Sequence, residues 1–153
     1  MAHMSTEENI HFEILRDISD NDDLELKTLI KELDETAVFD KNAVLGDIKN
    51  GVTSIFVYRE DSRIKASATV ARFSTPTGTH YNIEDVVVHS SLRGKGIGKK
   101  MVQHMLEELR KSNAKSVNLT SRPSRIAANA LYRSLGFEQR ETNVYQYKFE
   151  KRD

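Results

Sequence analysis

Apolar and polar positions along this chain change their period several times, and each change predicts an element. From Ile10 to Leu15, Ile, Phe and Ile alternate with His and Glu, which predicts a half-exposed first strand. The run Ser19 to Asp23 offers helix caps, and Leu26, Leu29, Ile30 and Leu33 follow at helical spacing. A second short helix is predicted over Lys41 to Lys49, with Asp40 ahead of it and Asn50-Gly51 ending it; Gly46 weakens it. Thr53 to Arg59 and Ile64 to Phe73 read as successive strands joined by Glu60-Asp61-Ser62. Ser74 to Gly78 reads as a loop. Tyr81 to Val88 reads as a strand whose closing run of valines suits burial on both faces.

The period then switches to a helix. Ile97, Met101, Val102, Met105, Leu106 and Leu109 form one continuous apolar stripe. Lys115 to Thr120 is strand-like, and Ser124 is placed to cap a helix that runs to about Leu135 and stops at Gly136. Phe137 onward alternates as two strands joined near Thr142-Asn143. Consecutive strands, a strand–helix–strand crossover expected to be right-handed, then a helix and two strands imply an α/β (α+β) fold. The expectation is a single domain over residues 4–153, with a mixed central sheet of about six to seven strands flanked by about four helices. Met1-Ala2-His3 ahead of Met4 reads as a cloning remnant.

Charge and composition narrow the function. Lys plus Arg and Asp plus Glu each number 23, so no global field draws the chain to nucleic acid or an anionic membrane. No apolar run approaches the roughly 20 residues of a bilayer span, and the N-terminal stretch lacks a secretory apolar core. These features predict a cytoplasmic protein. With no cysteine, thiolate metal sites, disulfides and an acyl-cysteine intermediate are excluded. The histidines lack H-E-x-x-H spacing, so no metal is expected.

The chemistry concentrates in Val86-Val87-Val88-His89-Ser90-Ser91-Leu92-Arg93-Gly94-Lys95-Gly96-Ile97-Gly98. A strand feeding a glycine-rich helix start presents free amides and the positive end of the helix dipole, which suits phosphate or pyrophosphate. A dinucleotide fingerprint fails because Lys99 stands where its last glycine belongs, and no glycine pair fits a Walker A loop. Lysines at a helix start oppose the dipole mildly, which argues for a compensating anion. Arg93 to Gly98 fits Arg/Gln-x-x-Gly-x-Gly/Ala instead, and so resembles the acetyl-CoA pyrophosphate loop of the GNAT N-acetyltransferases. Asn129-Ala130-Leu131-Tyr132-Arg133-Ser134-Leu135-Gly136-Phe137 is similar to a second segment of that family, in the family's order.

The resemblance implies acetyl-CoA as cosubstrate and direct acetyl transfer to a primary amine in a ternary complex. Gly94, Gly96 and Gly98 would let backbone close on phosphate oxygens around Ile97, and Arg93, Lys95, Lys99 and Lys100 would add charge. By position, the strand residues Val86, Val87 and Val88 would meet the pantetheine arm, Val86 and Val88 through main-chain groups. Arg125, Asn129 and Tyr132 share one helix face, and the family pattern turns that face to the cofactor. Tyr132 is then the implied acid for the departing thiolate, and Asn129 orients the pantetheine or the Tyr132 helix. For the base, Glu84 and Asp85 interrupt an apolar strand and, being adjacent, should face opposite ways. Glu84 is favoured; Asp85, His80, Tyr81 or an ordered water remain alternatives.

The acceptor would be framed by residues 34–42, 74–80 and 140–145. Glu138 and Glu141 would attract an amine, and Arg122 and Arg140 a carboxylate. A catalytically idle CoA-binding or regulatory module on the same fold is the competing reading. A monomer or a homodimer would serve either one.

Overall fold

In the computed structural model, residues 11–150 are described; residues 1–3, the first residue of the predicted first strand and residues 151–153 lie outside that range. The elements run β1 (His11–Leu15), α1 (Asp20–Leu33), α2 (Lys41–Lys49), β2 (Thr53–Glu60), β3 (Arg63–Thr75), β4 (Gly78–Val88), a 3₁₀ turn (Ser90–Leu92), α3 (Ile97–Arg110), β5 (Ser116–Asn118) and α4 (Ile126–Ser134). The chain divides into two compact units, one ending at Thr120 and the other starting at Ser121.

In the first unit the sheet order is β1-β2-β3-β4-β5. The first three pairings are antiparallel and β4–β5 is parallel. The parallel pair needs a crossover, and α3 supplies it. Alternation along β2 sends Ile55 and Val57 into a cluster with Leu15, Ile18, Leu26, Leu29, Ile64 and Val87. Leu33, Phe39, Val44, Leu45 and Ile48 of the α1–α2 region pack against that cluster. Phe56, between Ile55 and Val57, meets the ring of His104 of α3 at 6.0 Å, and Phe12 stacks on His104 at 5.5 Å. Helices therefore cover both faces. The α3 side chains Met101, Val102 and Met105 are fully buried, each contributing on the order of 1.5–3 kcal/mol.

A partly buried charge network ties α1 to the sheet. Arg59 of β2 donates from Nε to Glu13 at 2.7 Å and from Nη1 to Asp22 at 2.9 Å. It also reaches the carbonyl of Ser62 at 3.3 Å, in the two-residue turn where Asp61 (φ 50°) and Ser62 (φ 66°) are left-handed. Such a turn matches strand twist but usually uses glycine, so these bonds hold a conformation that its own residues disfavour.

Three expectations need correction. Among the described residues there are five strands, not six to seven. Residues 138–150 form no ladder, and Val144, Tyr145, Tyr147 and Phe149 are 74–89% exposed. Alternation predicts a strand only where a sheet receives it, and this segment has no ladder partner among the described residues. The predicted loop at residues 74–78 contracts to a two-residue turn, because β3 continues to Thr75 and β4 starts at Gly78. Helix α4 starts one residue later than Ser124 would dictate: Arg125 is its N-cap residue and gives no side-chain cap.

Candidate active site

The glycine loop sits where the sequence places it, between the end of β4 and the start of α3. Gly94 (φ 76°) and Gly96 (φ 79°) are both left-handed, a conformation that only glycine adopts at little cost. A Cβ at either position would meet nothing within 4 Å, so the backbone conformation, not crowding by the protein, calls for glycine. Gly96 is the N-cap residue of α3, with no side-chain cap and no acidic residue in the first turn. The first hydrogen bond of the helix runs from the Lys100 amide to the Gly96 carbonyl at 3.1 Å. The amides of Ile97, Gly98 and Lys99 precede it and take no acceptor among the described residues. Gly94 to Gly96, Lys99 and Lys100 are exposed, while Ile97 is buried and anchors the turn.

Arg93 behaves differently from a free phosphate ligand. Its Nε donates to the Val88 carbonyl at 3.2 Å, and Nη2 to Glu32 at 3.0 Å. Glu32 lies in the last turn of α1 and accepts the Ser90 amide at 3.1 Å. Its other oxygen is 3.6 Å from Nε2 of His89. Sequence reasoning passed over Glu32. The available signal was an acidic residue at a helix C-terminus, where the dipole prefers a cation.

Beside the loop, β4 pairs with β5 only at His80–Asn82, opposite Ser116–Asn118. From Ile83 to Val88 the margin of β4 away from β3 has no strand partner among the described residues, so Val86, Val87 and Val88 border an open edge. Val87 itself is buried in the core. On the β3 side, Ser67 pairs with Val87 and Thr69 with Glu84, leaving Ala68 opposite both Asp85 and Val86. This is a β-bulge, with Asp85 at φ 52°. Strict alternation, on which the expectation that Glu84 and Asp85 face opposite ways is based, is interrupted here by the extra residue.

Glu84 is surface-exposed and makes no hydrogen bond or salt bridge among the described residues. Partial burial of its carboxylate, together with the neighbouring Asp85 charge, raises its pKa above the ordinary 4.5. His80 is committed elsewhere: its Nδ1 is 2.9 Å from Ser116 Oγ and its ring stacks on Phe73 at 5.4 Å. Ser116 Oγ already accepts from Asn118 at 3.1 Å.

In the second unit, Asn129 and Tyr132 lie on α4, and Arg125 is its N-cap residue. Asn129 donates from its amide side chain to the Arg122 carbonyl at 2.9 Å, fixing the turn that enters the helix. Tyr132 packs edge-on against Phe137 at 5.8 Å. Burial raises the Tyr132 pKa above 10.0, and the positive charge of Arg125 opposes the rise. The phenol therefore keeps its proton at neutral pH.

A profile of the acetyltransferase (GNAT) family matches residues 18–137, which include the loop, β4 and Tyr132. The chain belongs to the GNAT family. Members of this family transfer acetyl groups with acetyl-CoA as cosubstrate. The uncharacterized N-acetyltransferase ycf52 of Porphyra purpurea is 33% identical over 67 residues, 44% of this chain and 37% of the relative. The chain thus spans about half or less of the curated relatives it matches. A metagenomic aminoglycoside acetyltransferase, crystallised with trehalose, shares the fold at TM-score 0.77 and 19% identity, over 93% of this chain and 97% of its own. A predicted acetyltransferase of Clostridium acetobutylicum, crystallised with acetyl-CoA, does so at TM-score 0.69 and 18% identity, over 90% and 96%. Among the described residues of this GNAT chain, no group of three or more His, Asp or Glu could hold a metal ion, and no helix could cross a membrane.

Proposed function

We propose that this chain is an N-acetyltransferase that moves acetyl from acetyl-CoA directly to a primary amine, with residues 4–153 acting as one cytoplasmic catalytic domain. The observation that carries the reading is the N-terminus of α3: uncapped, entered through two left-handed glycines, and flanked by lysines. Its amides and dipole hold the diphosphate, while Lys95, Lys99 and Lys100 add charge. The open edge of β4 at Val86–Val88 takes the amides of the pantetheine arm as an added strand would. The Arg125–Asn129–Tyr132 face of α4 serves the thiol end.

The chemistry follows from these roles. The amine nitrogen attacks the thioester carbonyl, forming a tetrahedral intermediate whose oxyanion is met by backbone amide donors. Collapse breaks the C–S bond and leaves the acetamide. Tyr132 gives its phenolic proton to the leaving thiolate, and Glu84 accepts the proton that the amine loses, directly or through water. The absence of cysteine removes the simplest covalent carrier and supports direct transfer. An alkylammonium has a pKa near ~10, so a base is needed, and the raised pKa of Glu84 brings it closer to neutrality. An amine, such as that of an aminoglycoside or a peptide, is the acceptor class.

Release of CoA from acetyl-CoA across a panel of amines tests this reading. Tyr132→Phe is expected to lower kcat about 10²-fold. Glu84 acts unprotonated, so kcat/KM rises with pH through a pKa above 4.5, and Glu84→Gln removes that limb. Binding of acetyl-CoA without turnover of any amine would instead identify an idle CoA-binding module.

A further inference from the structure

We propose that Glu32 is a positioning residue for the cofactor loop, holding Arg93 as a brace between α1 and β4. The inference rests on the diphosphate reading of that loop and assigns two of its residues a task that the glycine motif does not describe. Three contacts converge on one carboxylate. Oε2 accepts from the Ser90 amide at 3.1 Å and from Arg93 Nη2 at 3.0 Å, and Oε1 lies 3.6 Å from His89 Nε2. The opposite end of the Arg93 head is tied to the Val88 carbonyl. The segment from Val88 to Arg93 is thereby fastened on both sides just before the left-handed Gly94 and Gly96.

The arrangement also answers a charge problem. Glu32 stands two residues before Asp34, the C-cap of α1, where the dipole disfavours an anion. It also faces a loop that must receive a diphosphate. Arg93 lies between the two and screens the carboxylate. Removal of Arg93 alone would leave an uncompensated anion behind the loop, whereas removal of Glu32 alone would leave the loop unbraced. With both removed no unpaired anion remains, so the losses of these two directly paired residues do not add. Because α1 leads into residues 34–42, the same contact connects the cofactor loop to the segment expected to frame the acceptor.

Isothermal titration of acetyl-CoA into the intact protein, Glu32→Gln, Arg93→Gln and the double variant reads this coupling. Glu32→Gln is expected to weaken binding about fivefold and Arg93→Gln about twentyfold, with the double variant recovering to about fivefold. That sign reversal of the Glu32 substitution is a result that loss of fold alone does not produce. Faster hydrogen exchange at the Ser90 amide in free Glu32→Ala, which offers that amide no acceptor, is the companion readout in the absence of ligand. Additive losses in the cycle, or an unchanged Ser90 amide, overturn the inference while leaving the diphosphate site standing. Failure of the intact protein to bind acetyl-CoA overturns both.

Discussion

Helix α1 begins with Ser19, whose Oγ accepts the Asp22 amide at 3.0 Å, whereas helix α3 begins with Gly96, which has no side chain to offer. At the third helical position α1 carries Asp22 and α3 carries Lys99. Burial works against the charge of Asp22, yet hydrogen bonds from Arg59 and Ser19 and the Arg59 charge hold its pKa below 3.8. One N-terminus is closed by its own residues. The other keeps its amides free and sets cations against its dipole, so its stability comes from the buried Met101, Val102 and Met105 further along. The difference separates a helix start that serves the fold from one that serves a ligand. A polar turn before an apolar stripe is common to both; the acidic residues at one and the glycines and lysines at the other set them apart in the sequence.

The comparison breaks most severely at Arg59. Arg59→Met strips two mostly buried carboxylates of their partner and is expected to destabilise the protein by about 2–3 kcal/mol, measured by urea unfolding, with acetyl-CoA affinity unchanged. Ser19→Ala removes the α1 cap at a cost of about 1 kcal/mol. The depressed pKa of Asp22 adds a pH signature to the same region. Its contribution is complete above the unfolded value and disappears as pH falls through the lower folded value, so the acid unfolding limb should flatten in Asp22→Asn. The smallest effect sharpens the contrast from the other side. Lys99→Glu gives α3 the charge that α1 already has, and should stabilise the free protein by a few tenths of a kcal/mol while weakening acetyl-CoA binding about tenfold.

Local features were legible in the sequence. Ser19 and Asp40 as caps, the extent of α2, the turn at Asp61-Ser62 and the glycine loop all depend on neighbours within a few residues. Features set by distant partners were not. Glu32 and Arg93 are 61 residues apart, and Arg59 and Glu13 are 46 apart, so no periodicity points to either pair. The bulge at Asp85 has no composition cue, since an aspartate at positive φ looks like any other in sequence. Tyr145, Tyr147 and Phe149 alternate as a strand would, yet they are exposed with no ladder partner among the described residues, because a period specifies a face and not what covers it. Glu84 interrupts an apolar strand in the sequence, and in the structure partial burial and the neighbouring Asp85 charge raise its pKa above 4.5.

The account stands most directly on whether the α3 N-terminus holds the diphosphate, and titration of acetyl-CoA into the intact protein and into Gly96→Glu measures this. Micromolar binding that Gly96→Glu abolishes is the predicted result, since the substitution strains a left-handed position and places a carboxylate beside the free amides. Absence of binding, or binding indifferent to the carboxylate in a protein that remains folded, would contradict it.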